Sequence, residues 1–355
     1  MKLPQGETKH SFLTKYDEVK GKRGNSEKIL ELQKACGRGT RSSLRDYVST
    51  LRSKPVEDLI VQPFVPNTLR FSMPFIRRKD VITKLDIPDR EHLKTLAVLN
   101  DVHAPYYDPV VYDLVCRFLA KIQPDYVILV GDWFDFYQLS RFSQNPKRRL
   151  ELQNDLYHLF ALFSKLRISC PASNIIFIPG NHEDRLRRFK WDKVPELSGL
   201  DALKLDQLFK LDKFDIKLGS YDKGLLINGV FMAHHGDRVR KHSGWTAKAM
   251  YEKRGGSGIC GHSHRGGTYT KRDTFGEYGW WENYCLCSLD PEFDNTPDWH
   301  QGFSLVHFID NRFMVEPIPI VKHAFIYGGE IWRGNKNITQ EDIIGTEFNA
   351  DFQAF

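Results

Sequence analysis

No stretch of this 355-residue sequence approaches the roughly eighteen consecutive apolar residues that a membrane-crossing helix needs. The polar opening MKLPQGETKHSFLTKYDEVK also lacks the apolar core of a signal peptide, which leads us to expect a cytoplasmic chain with no membrane partner. Cysteine is scarce. Cys36, Cys116, Cys170, Cys260, Cys285 and Cys287 are the six, and no two form a C-x-x-C pair. A structural zinc ribbon is therefore excluded, and buried free thiols in a reducing compartment are expected. Internal repeats and low-complexity segments are missing too. What is present describes a globular protein of one large domain or two ordinary ones, with 41% hydrophobic and 27% charged residues.

Excess charge is confined to one end. The chain carries a net +6, yet residues 1–55 alone hold thirteen Lys and Arg against six Asp and Glu, so the rest is near neutral. A basic extension on a neutral body points to an anionic partner. Ser26 can cap a helix running through Cys36, which Gly37-Arg38-Gly39 would break. Thr40 can cap a second, on which Leu44, Tyr47, Val48 and Leu51 recur at helical spacing beside Arg41, Arg45 and Arg52. Two short helices around a glycine turn outline a helix-turn-helix that would hold DNA or RNA, and they equally suit a packing or oligomer appendage.

Residues 56–92, with prolines at 63, 66 and 74 and no clear period, read as a linker to a body spanning 93–328. Apolar runs then alternate with helical patterns: strand 93–100, helix Pro109 to Lys121, strand 126–130, helix 150–166, strand 174–179. This β-α-β-α-β order predicts a parallel sheet in an α/β arrangement. Strand candidates at 224–233, 257–260, 267–271, 280–287, 303–309 and 313–318 suggest a second sheet packed on the first. Residues 329–355 read as a polar tail.

The polar clusters sit where each buried strand ends, which is where open α/β sheets place their ligands. Asp101 and His103 follow the first strand, and residues two apart in an extended segment point the same way. Asp132 and Asp135 follow the second strand, and Gly180-Asn181-His182-Glu183 the third. His234-His235-Gly236-Asp237 and Gly261-His262-Ser263-His264 follow two later ones. Any one cluster alone is more often a structural turn. Together they supply a mixed oxygen and nitrogen donor set without thiolates, which suits two divalent ions such as Mn²⁺, Fe²⁺ or Zn²⁺.

The motifs D-x-H, GD-x-x-D, GNHE, HGD and GH-x-H in that order resemble the calcineurin-like metallophosphoesterases, and cover roughly residues 93–310. Their context, DVHAPYYDP, GDWFDFYQLSRF, GNHEDRLRR, HHGDRVRKHSG and GHSHRGG, is similar to phosphoesterases of phages and prophages, which would place the protein in a host cytoplasm. The resemblance implies a four-layer α/β/β/α sandwich, here with a small helical N-terminal extension. It implies Asp101, His103 and His264 on one metal ion, Asn181, His235 and His262 on the other, and Asp132 bridging. A bridging carboxylate offsets repulsion between the ions, and the pair lowers the pKa of a shared water that attacks phosphorus in line. His182 matches the family's catalytic histidine, with Asp135 as its carboxylate partner. His234 stays open as an alternative ligand to His235. Arg185, Arg238 and Arg265 are the candidates for the substrate phosphate, because guanidinium binds phosphate oxygens bidentately. Trp133, Phe134, Phe136 and Tyr137 suit either base stacking or the core. The expected activity is that of a phosphodiesterase or nuclease using manganese. The alternatives are a phosphomonoesterase and a DNA-binding protein with a vestigial metal fold.

Overall fold

The computed structural model describes residues 13, 15–18, 26–35, 44, 47–49, 81–88, 91–145, 151–291 and 296–345. Two compact units divide the chain, residues 1–77 and 78–355. In the first, helix α1 spans Ser26–Ala35, close to the expected helix. Its Ile29 and Leu32 pack with Leu13, Tyr16, Leu44, Tyr47 and Val48 in a small apolar cluster. The period read at 44–48 is thus an apolar face used for packing. The glycine turn at 37–39, Leu51 and the basic positions Arg41, Arg45 and Arg52 lie outside the described residues, as does most of the expected linker.

The second unit is built on two six-stranded sheets. One contains β2 (Lys94–Leu99), β3 (Tyr126–Val130), β4 (Asn174–Ile178) and β5 (Ile216–Leu218), all parallel, extended by antiparallel β11 (Gln301–Ile309) and β12 (Arg312–Ile320) in the order β12-β11-β2-β3-β4-β5. Helices α2 (Pro109–Ile122) and α3 (Leu152–Ser169) are the crossovers. Asp108 starts α2 by accepting the amides of Val110 and Val111, both at 3.0 Å, with Pro109 supplying the first-turn φ.

Alternation along these strands explains why each reads as a continuous apolar run. Ala97, Leu99, Val127, Leu129, Ile175 and Phe177 face the helices, while Leu96, Val98, Ile128, Val130, Ile176 and Ile178 face the other sheet. Both faces are dry, so no position is left for a polar residue until the strand ends.

The second sheet runs β1-β6-β7-β8-β10-β9, with β1 Lys84–Leu85, β6 Leu225–Ile227, β7 Phe231–Ala233, β8 Ser257–Cys260, β9 Gly266–Asp273 and β10 Gly276–Asn283. Leu225, Ile227, Phe231, Ala233 and Ile259 close the inter-sheet core. Helix α5 (Trp245–Arg254) covers the outer face, packing Ala247 and Met250 on Cys260 and Trp280. The layers are helix, sheet, sheet, helix, the α/β/β/α sandwich that the resemblance implies. Helix α4 (Asn181–Lys193) leaves the end of β4.

Three sequence expectations are corrected. Residues 82–87 do not belong to a linker: β1 pairs in parallel with β6, and Ile87 is buried in the inter-sheet core. The single strand expected at 224–233 is a hairpin, because Asn228 (φ 48) and Gly229 (φ 71) turn the chain between β6 and β7. Within the expected polar tail, residues 329–345 are structured, and 346–355 lie outside the described residues. Strands β13 (Ala324–Tyr327) and β14 (Glu330–Arg333) form a hairpin whose Phe325, Tyr327 and Trp332 surround Phe118 of α2 at 4.9–5.1 Å between ring centroids. Helix α6 (Gln340–Ile344) then buries Ile343 in the helix-side core.

Candidate metal centre

The turns that end β2, β3, β4 and β8, and the loop after β7, meet at one point. Asp101 (φ 52), His103 (φ 54), Asp132 (φ 52), His262 (φ 68) and His264 (φ 56) all adopt left-handed backbone. Non-glycine residues rarely do so, and a cluster of them marks a site whose surroundings enforce the geometry. Gly131 and Gly180 permit the close approach, since a Cβ on Gly131 would enter the His235 ring and one on Gly180 would meet the Asp132 carboxylate.

Among the described residues four clusters could hold an ion: Asp101-His103-His264 and Asp132-His235-His262 gather the expected ligands, beside His103-Asp135-His182 and His264-Cys285-Cys287. In the first, His264 Nε2 lies 3.2 Å from Asp101 Oδ1 and 3.1 Å from His103 Nε2. In the second, His235 Nε2 lies 3.1 Å from Asp132 Oδ2 and 2.9 Å from Asn181 Oδ1. The ligand atoms of Asp132, His235 and His262 fall within 4.8 Å of one another, as do those of Asp101, His103 and His264. Asp132 joins the groups, because its Oδ2 is also 3.8 Å from His103 Nε2.

The chemistry of this set fits cations. Asp101 Oδ2 accepts the His262 amide at 2.9 Å and the Asn100 side chain, whereas its fully buried Oδ1 makes no hydrogen bond among the described residues and meets only imidazole, His264 Nε2 at 3.2 Å and His103 Nε2 at 3.8 Å. An orphaned buried carboxylate oxygen is costly unless a cation meets it. His235 Nδ1 is committed to the Val130 carbonyl at 2.9 Å, which leaves Nε2 as the lone-pair atom toward Asp132. Burial pushes the His235 pKa down, but Asp132 outweighs it and lifts the value to about 9. For His264, burial is likewise outweighed by Cys287 and Asp101, and the value rises to about 9. The carboxyls of Asp132 and Asp135 are held well below their ordinary range despite burial, by His235 and His182 respectively. The protons held on these lone pairs are the ones a divalent ion would displace.

His234 does not share this arrangement. Its Nδ1 accepts the Gly236 amide at 2.8 Å and its Nε2 faces Arg254 at 2.5 Å. Burial and the Arg254 charge depress its pKa to about 3. Of the doublet, His235 is the residue turned toward Asp132 and Asn181.

His182 stands at the edge of the cluster. Its Nδ1 lies 3.0 Å from the Asp135 carbonyl and 3.1 Å from the Asp135 carboxylate, and its Nε2 is 3.8 Å from Asp132 Oδ2. Asp135 Oδ2 also meets His103 Nδ1 at 3.0 Å, so one carboxylate orients two imidazoles. Arg185 donates to the Asp135 carbonyl at 2.9 Å and sits 3.1 Å from His182 Nε2.

Beyond these residues opens a cleft of about 1660 Å³, lined by His103, Asp135, His182, Arg185 and His264 at one end and by aromatic side chains including Tyr106, Tyr137, Phe142 and Trp299. Arg185 is the one of the three candidate phosphate arginines on this lining. Arg265 is corrected: only 4% exposed, it donates to the carbonyls of Lys241 (3.0 Å) and Arg240 and to Asp298 at 2.6 Å. Arg238 likewise lines no part of the cleft, and its nearest acid is Asp237 at 3.9 Å. Trp133, Phe134 and Phe136 are fully buried core, and Tyr137 alone of that run reaches the cleft.

Sequence reasoning missed Glu183. Its carboxylate accepts four backbone amides: Gly180 at 2.6 Å, Asp132 at 3.0 Å, and Trp133 and Phe134 at 2.9 Å. It therefore ties the turn after β3 to the start of α4. The signal was available, because an acid three residues after Gly180 is the capping position of a helix that begins at Asn181. Gly180, rather than Asn181, is the cap residue, which frees the Asn181 amide oxygen for His235. Asn100 and Asn283 were also missed. Asn283 donates to the Val98 carbonyl at 2.9 Å and to Asn100, which in turn supports Asp101.

Comparison with known proteins bears on this arrangement. The family model described as calcineurin-like phosphoesterase matches residues 94–338. The Gene 54 protein of Mycobacterium phage D29 is 26% identical over 261 residues, covering 67% of this chain and 98% of its own length. The Gene 54 protein of Mycobacterium phage L5 is 26% identical over 264 residues, with the same coverage. Among solved structures, wild-type Vps29 from Entamoeba histolytica, complexed with zinc, is 12% identical with a TM-score of 0.34, covering 65% of this chain and 96% of its own.

Proposed function

The chain belongs to the calcineurin-like phosphoesterase family and is a metal-dependent phosphoesterase, and from that premise we propose that it hydrolyses phosphodiester bonds of nucleotides or nucleic acid. The observation that carries the reading is the pairing of two ligand groups through Asp132, the first of which opens through His103 and His264 onto a cleft of about 1660 Å³.

Asp101, His103 and His264 would hold one ion and Asn181, His235 and His262 the other, with Asp132 shared. The oxygen and nitrogen donors suit Mn²⁺, with Fe²⁺ or Zn²⁺ as alternatives. Divalent ions held there would activate a water molecule and neutralise the charge that builds on the phosphoryl oxygens. The chain's own residues do the rest. Asp135 fixes the His182 ring through Nδ1, so Nε2 is the atom available to hold a proton for the departing oxygen. Arg185 is anchored beside that nitrogen with its guanidinium at the cleft surface, where it can donate to a phosphate oxygen. The cleft exceeds the several hundred Å³ typical of small-ligand sites, and its aromatic faces suit the flat rings of nucleobases.

The test is hydrolysis of bis-p-nitrophenyl phosphate with Mn²⁺, beside the monoester p-nitrophenyl phosphate. Diester turnover that exceeds monoester turnover supports the reading, and a strong monoester preference contradicts it. Residues 1–55, with their excess of positive charge, are proposed to add affinity for DNA or RNA. Deleting them should weaken DNA binding and flatten its dependence on salt. Unchanged binding by the shortened protein would remove this part.

A further inference from the structure

One wall of the cleft carries polar groups that no part of the reaction uses. Asp155 and His158 project from the same face of α3, and the Tyr107 ring packs edge-on 6.0 Å from that of His158. All three line the cleft. Asp155 is only 2% exposed, and among the described residues its carboxylate has a single side-chain partner, the Gln138 amide at 2.6 Å, with no cation at ion-pair distance. Tyr107 is 1% exposed, and among the described residues its hydroxyl has no hydrogen-bond partner. His158 Nδ1 is buried and equally without one.

Buried polar groups are satisfied as a rule, and an acid out of water without a cation is costly. Three such exceptions on one wall, facing an open cleft that starts at the metal ligands, are the mark of a surface completed by a ligand. The groups are chemically specific. Burial pushes the Tyr107 phenol above its ordinary pKa and the His158 imidazole below, so both stay neutral and can hydrogen-bond without a charge. Burial and then the Asp135 carboxylate raise Asp155 to about 6. It remains largely an acceptor near neutrality.

We propose that Tyr107, Asp155 and His158 form a subsite for the nucleoside portion of the substrate, in which Asp155 accepts a pair of adjacent N–H or O–H donors. A guanine edge and a ribose diol both present such a pair. This inference rests on the phosphodiesterase reading and names the part of the substrate that the metals do not touch.

The experiment compares diesters that all release p-nitrophenolate: bis-p-nitrophenyl phosphate, and the p-nitrophenyl esters of thymidine, 2′-deoxyguanosine and uridine 5′-phosphates. The wild-type protein should prefer a nucleoside ester. A preference for the deoxyguanosine ester identifies the base edge, and one for the uridine ester the diol. Asp155→Asn should lower kcat/KM on the preferred ester by about tenfold or more, the usual cost of losing a hydrogen bond to a charged group, while leaving bis-p-nitrophenyl phosphate within about twofold. Tyr107→Phe should act in the same direction. It removes a hydroxyl that has no partner among the described residues, so the fold should keep its thermal midpoint.

Equal losses on every substrate, or none on any, would overturn the subsite. So would a wild-type protein indifferent to the nucleoside. Failure of the wild-type protein to hydrolyse bis-p-nitrophenyl phosphate would instead strike the phosphodiesterase reading beneath it.

Discussion

Replacing Glu183 by Gln tests how the site is held together. The carboxylate receives four backbone amides at 2.6–3.0 Å from two separate turns. Glutamine keeps the shape but offers one acceptor oxygen, and its NH₂ group would face amides that are themselves donors. Two of the four hydrogen bonds are lost. At about 1.5–3 kcal/mol for each bond to a charged acceptor, the gross loss is about 3–6 kcal/mol. Relief from burying a charge offsets part of it. Burial, and then the Asp132 charge, raise the Glu183 pKa to about 7 while the Phe134 and Gly180 amides pull it down, so the ionised form is held at some cost.

A net destabilisation of about 2–4 kcal/mol follows, and for a unit of this size that lowers the melting midpoint by about 4–16 °C. Because the same amides fix the left-handed backbone of Asp132, metal affinity should fall by about 10–100-fold as well. Calorimetric melting and Mn²⁺ titration of the variant measure both. A variant that melts with the parent and binds metal equally well would refute the idea that Glu183 organises the two turns.

Other outcomes follow from the same geometry. His182→Ala should lower kcat by about 10²–10⁴-fold with metal content unchanged, because the ring lies outside both ligand groups; loss of metal on this change would contradict the assignment. His235→Ala should reduce bound metal to about one ion per chain whereas His234→Ala should not, as elemental analysis would show. Metal binding should release protons. His235 and His264 have folded values of about 9, above the ordinary 6.5. Their carboxylate pairs therefore stabilise the metal-free protein fully below pH 6.5, and that contribution is lost as pH rises toward about 9. Metal affinity should climb over the same window, and calorimetry at pH 7 in buffers of different ionisation heat should detect the released protons. A pH-independent affinity would count against this linkage.

Much of the architecture was legible because dry strands announce themselves. In β2, β3 and β4 both faces are buried, so the apolar runs at 96–99, 126–130 and 175–178 are unbroken and their polar ends stand out. What escaped was short or depended on partners far away in sequence. Strand β1 has two residues, too few for a period, and exists because β6 offers an edge. The hairpin at 225–233 carried its Asn228-Gly229 signal, but flanking apolar residues on both sides made one strand the simpler reading. Helix α6 spans five residues, and its burial depends on α2 and α3, more than 170 positions earlier in the chain. Arg265 stood next to His264 and invited a substrate role. Its actual partners are the carbonyls of Lys241 and Arg240, backbone groups that no sequence pattern marks, and the distant Asp298 carboxylate. Asp155 and His158 were invisible for the opposite reason, since an acid and an imidazole on an amphipathic helix look like its solvated face.

Metal titration of the stripped protein tests the central claim most directly. Protein treated with EDTA and dialysed should be inactive on bis-p-nitrophenyl phosphate, and added Mn²⁺ should restore turnover as occupancy approaches two ions per chain. Full turnover by metal-free protein, or restoration that saturates without any ion bound at Asp132, would contradict it.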